Sequence, residues 1–131
     1  MVVSSEKLIS FSADFNGMKK LELLIPHERL EAVNELLHKH NVGGMTCYDV
    51  KGRGRSKQES VDVERGTRSY IPELGPRTKI EVIVENTVAK RIIDDVLNVI
   101  STGSSYDGKL FVSDIAESYD IGTKAAGDAA L

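Results

Sequence analysis

The sequence predicts an α+β fold whose core strands and helices follow the order βαββαβ, and three observations predict it. Strand-like apolar runs recur at LELLI (21–25), MTCYDV (45–50), IEVIV (80–84) and KLFVSDI (109–115). Helical spacing fills the gap between the first and second runs, and again between the third and fourth. A long polar, glycine-rich stretch, not a helix, joins the second run to the third. That order is the ferredoxin-like plan: an antiparallel sheet of four strands with both helices on one face and the other face open.

The elements follow in turn. Ile9, Phe11, Ala13 and Phe15 alternate with Ser10, Ser12 and Asp14, the period of a half-buried strand. Asn16-Gly17 reads as a two-residue turn, so this extra strand is expected to form a hairpin with Lys20–Ile25. Pro26 stops that strand and suits a first helical turn. Leu30, Val33, Leu36 and Leu37 then recur at helical spacing. Glu28 and Glu31 come early and His38, Lys39 and His40 late, matching the helix dipole. Asn41 and Gly43-Gly44 provide the exit. In MTCYDV neither face is cleanly apolar, so its buried side stays open. Residues 51 to about 76 form a loop of unusual length, and such loops are commonly functional or disordered. Ile80, Val82 and Val84 share one face of the next strand. Thr87 opens a second helix with Val88, Ile92, Ile93, Val96, Leu97 and Ile100 as its apolar set. Lys109–Ile115 is the last strand. The tail GTKAAGDAAL is weakly patterned and expected to be mobile.

Totals bound the function classes. At 131 residues the chain makes one domain. A net charge of −3 argues against a general nucleic-acid binder. KGRGRSK (51–57) is basic, but it lacks interleaved aromatics and is followed by Glu59, Asp62 and Glu64. No direct nucleic-acid partner is expected. Cys47 is the single cysteine, which removes disulfides and cysteine clusters and fits an intracellular compartment. No signal peptide and no run of about 20 apolar residues are seen. Cys47 is expected to be a small buried hydrophobe, and the three histidines to lie on the surface; no metal site and no catalytic set emerges. If LELLI and IEVIV are apolar on both faces, the open face needs a cover, and a symmetric oligomer supplies one.

STGSSYDGKLFV (101–112) sits between the second helix and the last strand. It offers glycines, small hydroxyls and a lysine, the chemistry of a phosphate cradle and of an ordinary turn.

Five segments, in order, resemble the PII signal-transduction family: MKKLELLIP (18–26), VGGMTCYDVKGRGR (42–55), ERGTRSY (64–70), PRTKIEVIVE (76–85) and STGSSYDGKLFV, with GDAAL resembling the family's ending. The likeness covers residues 18–131 and leaves 1–17 as an N-terminal extension. It implies a non-enzymatic homotrimer that holds ATP or ADP between subunits. It further implies a T-loop, about residues 53–76, that reports to an ammonium transporter or a nitrogen-assimilation enzyme or regulator. The setting implied is the cytoplasm, with recruitment to the membrane by a transporter. In the family's pattern the B-loop, about residues 101–109, wraps phosphates, which assigns nucleotide binding to Thr102, Gly103, Asp107, Gly108 and Lys109. Gly54 and Arg55 match positions near the phosphates, and Thr46, Glu81 and Ile83 match positions around adenine.

The chain departs from the family's pattern at several places. Ser104 replaces a lysine and Tyr106 a glycine, while Asp120 and Gly122 stand where two arginines pair with phosphates. Each lost charge-assisted hydrogen bond is worth about 1.5–3 kcal/mol, so weaker ATP binding, or a preference for ADP, AMP or a less charged ligand, is expected. Ser56 replaces a glutamine that holds magnesium and the T-loop in 2-oxoglutarate sensors, and is too short for both tasks. Arg77 replaces a lysine that meets the 2-oxoglutarate carboxylate and can still pair with it. Magnesium and 2-oxoglutarate therefore stay open. Arg65 matches an arginine that plugs an ammonium channel in some relatives, Tyr70 a uridylylated tyrosine, and Ser69 is phosphorylatable. Two other functions remain: a PII-like regulator of inorganic-carbon (bicarbonate) metabolism, and a small ferredoxin-like enzyme such as an acyl phosphatase. PHERLEAV offers the latter no glycine cradle.

Overall fold

The computed structural model describes residues 17–54, 61–62, 69–70 and 74–131. Its main sheet holds strands β1 (Met18–Ile25), β2 (Thr46–Gly52), β5 (Gly75–Glu85) and β6 (Lys109–Ile115) in the spatial order β2-β5-β1-β6. All three pairings are antiparallel. Helices α1 (Leu30–Lys39) and α2 (Asn86–Asp95) provide the two crossovers, as the α+β ferredoxin-like plan requires. The predicted last strand has the observed bounds. The first starts two residues early, at Met18.

Alternation decides what is buried. Leu21, Leu23 and Ile25 of β1 and Ile80, Val82 and Val84 of β5 are buried, and they share the core with Val33, Leu36 and Leu37 of α1 and Ala89 and Ile92 of α2. Leu21 lies opposite Val82 on one side and Val112 on the other. Burying each Leu, Val or Ile contributes about 1.5–3 kcal/mol.

α1 ends in a Schellman motif. Asn41 takes the left-handed conformation (φ 60). Its N–H donates to His38 O at 2.9 Å, and Val42 N–H donates to Leu37 O at 3.0 Å. α2 begins at Asn86, one residue before the predicted start, and Asn86 N–H donates to Gly17 O at 2.7 Å. Beyond Asp95 the helix widens into a π turn over Val96–Ile100, closed by Ser101 N–H donating to Val96 O. The widening moves the apolar stripe out of its 3.6-residue phase. Leu97, predicted for the core, is therefore 61% exposed; in the regular turns before it, Asn86 and Ala89 are buried although the apolar set did not include them.

Four other expectations change. The Asn16-Gly17 hairpin onto β1 has no place in this sheet, since β5 and β6 occupy both edges of β1; residues 1–16 lie outside the described residues. The long loop carries structure of its own: β3 (Val61–Asp62) pairs with β4 (Ser69–Tyr70), and β5 starts at Gly75, not at Arg77. Pro76 sits opposite Lys51. The tail is folded: Tyr119 bridges Ala126, and Gly127–Ala130 makes a short 3₁₀ turn. The open sheet face is mainly charged, because Lys20, Glu22, Lys79 and Glu81 alternate with the core residues of β1 and β5.

Candidate functional site

Gly43 and Gly44, which follow the α1 exit, lead into β2 at the sheet edge. A cleft of about 750 Å³ opens there, lined among others by Thr46 of β2, Glu81 and Ile83 of β5, and His40. Thr46 lies directly opposite Glu81, and Ile83 is two residues further along the same face. The three side chains assigned to adenine thus line one cavity. Its far wall is the C-terminal turn, through Asp128 and Leu131.

Four alternating charges of β1 and β5 form one network, in which Lys20 and Glu81 line the cleft and Glu22 and Lys79 connect to them. Lys20 Nζ lies 3.0 Å from Glu22 Oε1 and 3.5 Å from Glu81 Oε1. Lys79 Nζ lies 3.2 Å from Glu22 Oε2 and 3.6 Å from Glu81 Oε1. Tyr48 Oη–H donates to Glu81 Oε1 at 3.2 Å. Hydrogen bonds from Lys20 and then Lys79 hold the Glu22 carboxyl below its ordinary value. The bond to Glu22 raises Lys20, and those to Tyr48 and then Glu22 raise Lys79. The predicted site residues did not include Lys20, Glu22 or Lys79. The signal was present: KKLEL and RTKIE put a charge at every second position on the face that carries Glu81.

The Thr102–Lys109 loop enters β6 at the opposite edge. Lys109 pairs with Leu24 of β1. The inner strands β5 and β1 separate it from β2, a distance of about 14 Å at ~4.8 Å per strand. The loop is closed by Asp107. Thr102 N–H and Thr102 Oγ1–H donate to its two carboxylate oxygens at 2.6 Å each, and Ser104 N–H donates at 3.2 Å. Bonds from Thr102 dominate in holding the Asp107 carboxyl below its ordinary 3.8. Because the folded value is depressed, closure is complete above pH 3.8 and is lost as pH falls through the lower folded value. The amide resonances of Thr102 and Ser104 should stay constant from neutrality down to that range and move together below it. Movement near pH 6 would contradict this assignment.

Gly103 and Gly108 both take positive φ, 86 and 113. Gly103 faces open space, but a Cβ on Gly108 would lie 2.1 Å from Leu24 O. Gly108 thus lets the loop pass against β1.

The other predicted positions are scattered. Gly54 is exposed just beyond β2. Arg77 donates to Pro76 O at 2.8 Å. Ser69 and Tyr70 make up β4. Arg55, Ser56 and Arg65 lie outside the described residues. Asp120 anchors a turn: Thr123 N–H donates to its Oδ1 at 2.8 Å, and this bond is the main cause of its lowered pKa. Two bland expectations fail. Cys47 is exposed, because β2 is an edge strand. The His40 side chain is only 14% exposed, and its Nε2 sits 2.6 Å from Asp95 Oδ2, tying α1 to α2. Among the described residues, no group of three or more His, Cys, Asp or Glu is placed to hold a metal ion. No helix among them is long and apolar enough to cross a membrane.

The family model for nitrogen regulatory protein P-II matches residues 18–125. The chain belongs to the nitrogen regulatory P-II family. It is 35% identical over 114 residues to nitrogen regulatory protein P-II 1 of Escherichia coli K12, covering 87% of this chain and all of the relative. The P-II protein of Azospirillum brasilense matches to the same extent. Among solved structures, Bacillus subtilis GlnK superposes with a TM-score of 0.70 at 30% identity, over 88% of this chain and 99% of GlnK. The B. subtilis GlnK–ATP complex gives 0.69 at 28%, with the same coverage. P-II proteins are signalling regulators and not enzymes, which removes the acyl phosphatase reading.

Proposed function

We propose that this P-II chain is a nitrogen-metabolism regulator that binds an adenine nucleotide in a cleft completed by a second copy, within a homotrimer. One observation carries the reading: Thr46, Glu81 and Ile83 line one cleft at the β2 edge, while Thr102–Lys109 lies at the β6 edge. A second copy is the economical way to bring such a loop to such a cleft, and a head-to-tail contact of unlike edges makes a ring when its rotation closes, as a threefold does. The ATP complex of the related B. subtilis GlnK supports a nucleotide as ligand.

In this reading Thr46, Glu81 and Ile83 surround adenine. Lys109, with the backbone of Thr102, Gly103, Asp107 and Gly108, faces phosphate, and Gly54 and Arg55 approach it from the T-loop stem. Residues 18–131 are the P-II domain, and 1–17 are an extension. The T-loop, with Arg65, Ser69 and Tyr70, contacts an ammonium transporter or a nitrogen-assimilation enzyme in the cytoplasm or at the membrane face. Ser56 and Arg77 tune any response to 2-oxoglutarate and magnesium.

Sedimentation combined with calorimetry tests this reading. The expected result is a mass of three chains and one adenine nucleotide bound per chain. A single-chain mass with no heat from ATP, ADP or AMP would overturn it. A carbon-metabolism regulator is the second reading, favoured by Asp120 and Gly122 at the altered phosphate positions. It would require a heat response to bicarbonate in the nucleotide-loaded protein.

A further inference from the structure

We infer that His40 is a positioning residue for adenine: its bond to Asp95 pins the stretch of backbone, Asn41 to Met45, that walls the cleft where the base is held. This rests on the nucleotide reading above. The stretch joins the end of α1 to β2 and lines the cleft beside His40 and Thr46. It has few holds of its own. Asn41 N–H and Val42 N–H donate to His38 O and Leu37 O, closing the Schellman turn. Among the described residues, the next backbone pairing is that of Thr46 opposite Glu81. Gly43 and Gly44, between these points, are exposed and have no side chain to pack. A wall of this kind keeps its place through its two ends.

The sheet holds one end, at Thr46. The other end is His40, whose backbone N–H is shared between Leu36 O and Leu37 O at 3.2 Å each, the bifurcated bond of a helix terminus. The side chain supplies the firmer point. Its ring is mostly buried, and Nε2–H donates to Asp95 Oδ2 at 2.6 Å. Asp95 ends the regular part of α2, so the wall is fixed to a second helix and not to itself. Lys39 Nζ reaches the same oxygen only at 4.0 Å from a largely exposed side chain, and adds little. With Nε2 engaged by Asp95, His40 acts on the ligand through the wall. Hydrogen bonds weaken steeply as their geometry departs from the ideal, so an unpinned wall costs contacts to the base. Contacts to phosphate come from Thr102–Lys109 at the β6 edge and are left as they were.

The test is calorimetric titration of ATP, ADP and AMP against the wild-type chain, His40→Ala, His40→Gln and Asp95→Asn. His40→Ala should weaken all three nucleotides by one common factor of about fivefold or more, the low end of coupling between separate positions. His40→Gln puts an amide donor near the place of Nε2 and should return affinity to within about twofold of wild type. Asp95→Asn removes the charge and keeps the shape. It should act in the same direction as His40→Ala by a smaller factor, and it serves if the alanine variant fails to fold. Unchanged affinity in His40→Ala, with assembly mass and circular dichroism as in wild type, would overturn the inference. So would a loss as large in His40→Gln as in His40→Ala, or a loss that grows with the number of phosphates. Binding of none of the three by wild type would overturn the nucleotide reading itself, and this inference with it.

Discussion

Gly108→Ala is expected to lower stability in urea unfolding by about 3 kcal/mol or more, a loss in the range kept for backbone strain combined with steric overlap. Two causes add. The residue sits at φ 113, outside the region that L side chains adopt readily, and its new Cβ would fall 2.1 Å from Leu24 O and 3.1 Å from Ile25 Cα. Neither obstacle is a flexible side chain, so relief requires β1 and β6 to part at the end where Lys109 pairs with Leu24. Gly103→Ala is the internal control. It shares the positive φ but faces open space, so its cost should stay near the ~1–2 kcal/mol of a left-handed non-glycine residue. Equal losses at the two positions would mean that the close approach to β1 is not what fixes Gly108.

Leu21→Ala should cost about 2–5 kcal/mol, the range for a fully buried leucine whose cavity cannot collapse. Leu21 has no exposed surface, sits on the inner strand β1, and is flanked by Val82 and Val112. Its loss should not depend on protein concentration. Phe111→Ala makes the informative contrast. Phe111 is 55% exposed on the open face, opposite Glu22. In an isolated copy its truncation costs under about 1 kcal/mol, as for surface changes away from special features. If copies cover this face, the variant loses more and unfolds at a midpoint that rises with concentration. A small, concentration-independent loss would place Phe111 on a free surface.

Most of the fold was legible because the core strands declare themselves locally. Ile80, Val82 and Val84 alternate with Lys79, Glu81, Ile83 and Glu85, and Lys109–Ile115 is bounded by a glycine turn and a polar tail. What failed was not local. Ile9 to Phe15 reads as a hairpin partner of β1, yet strand order is set by the whole chain, and both edges of β1 go to β5 and β6. Leu97 fits a perfect 3.6-residue stripe, but one π turn shifts the stripe away from it. Cys47 was misplaced for a related reason: a sequence does not say which strand ends at an edge.

The candidate site divides in the same way. Thr46, Glu81 and Ile83 were grouped by family resemblance; periodicity alone would have joined Glu81 to Ile83 but not to Thr46. The bonds of Asp107 back to Thr102 and Ser104 follow from the path of the loop, which composition does not reveal. That the cleft and the loop occupy opposite edges needed the strand order β2-β5-β1-β6.

The claim that the site is shared between copies is tested most directly by mixing two defective chains. Glu81→Ala damages the cleft and leaves the loop intact; Lys109→Ala does the reverse. Each alone should bind adenine nucleotide poorly. Unfolded together and refolded into mixed assemblies, they should recover about a quarter of the wild-type sites, because a random neighbour pair joins the intact cleft of one chain to the intact loop of the other with that frequency. Recovery no greater than the sum of the two separate variants, in assemblies shown to be mixed, would contradict a shared site.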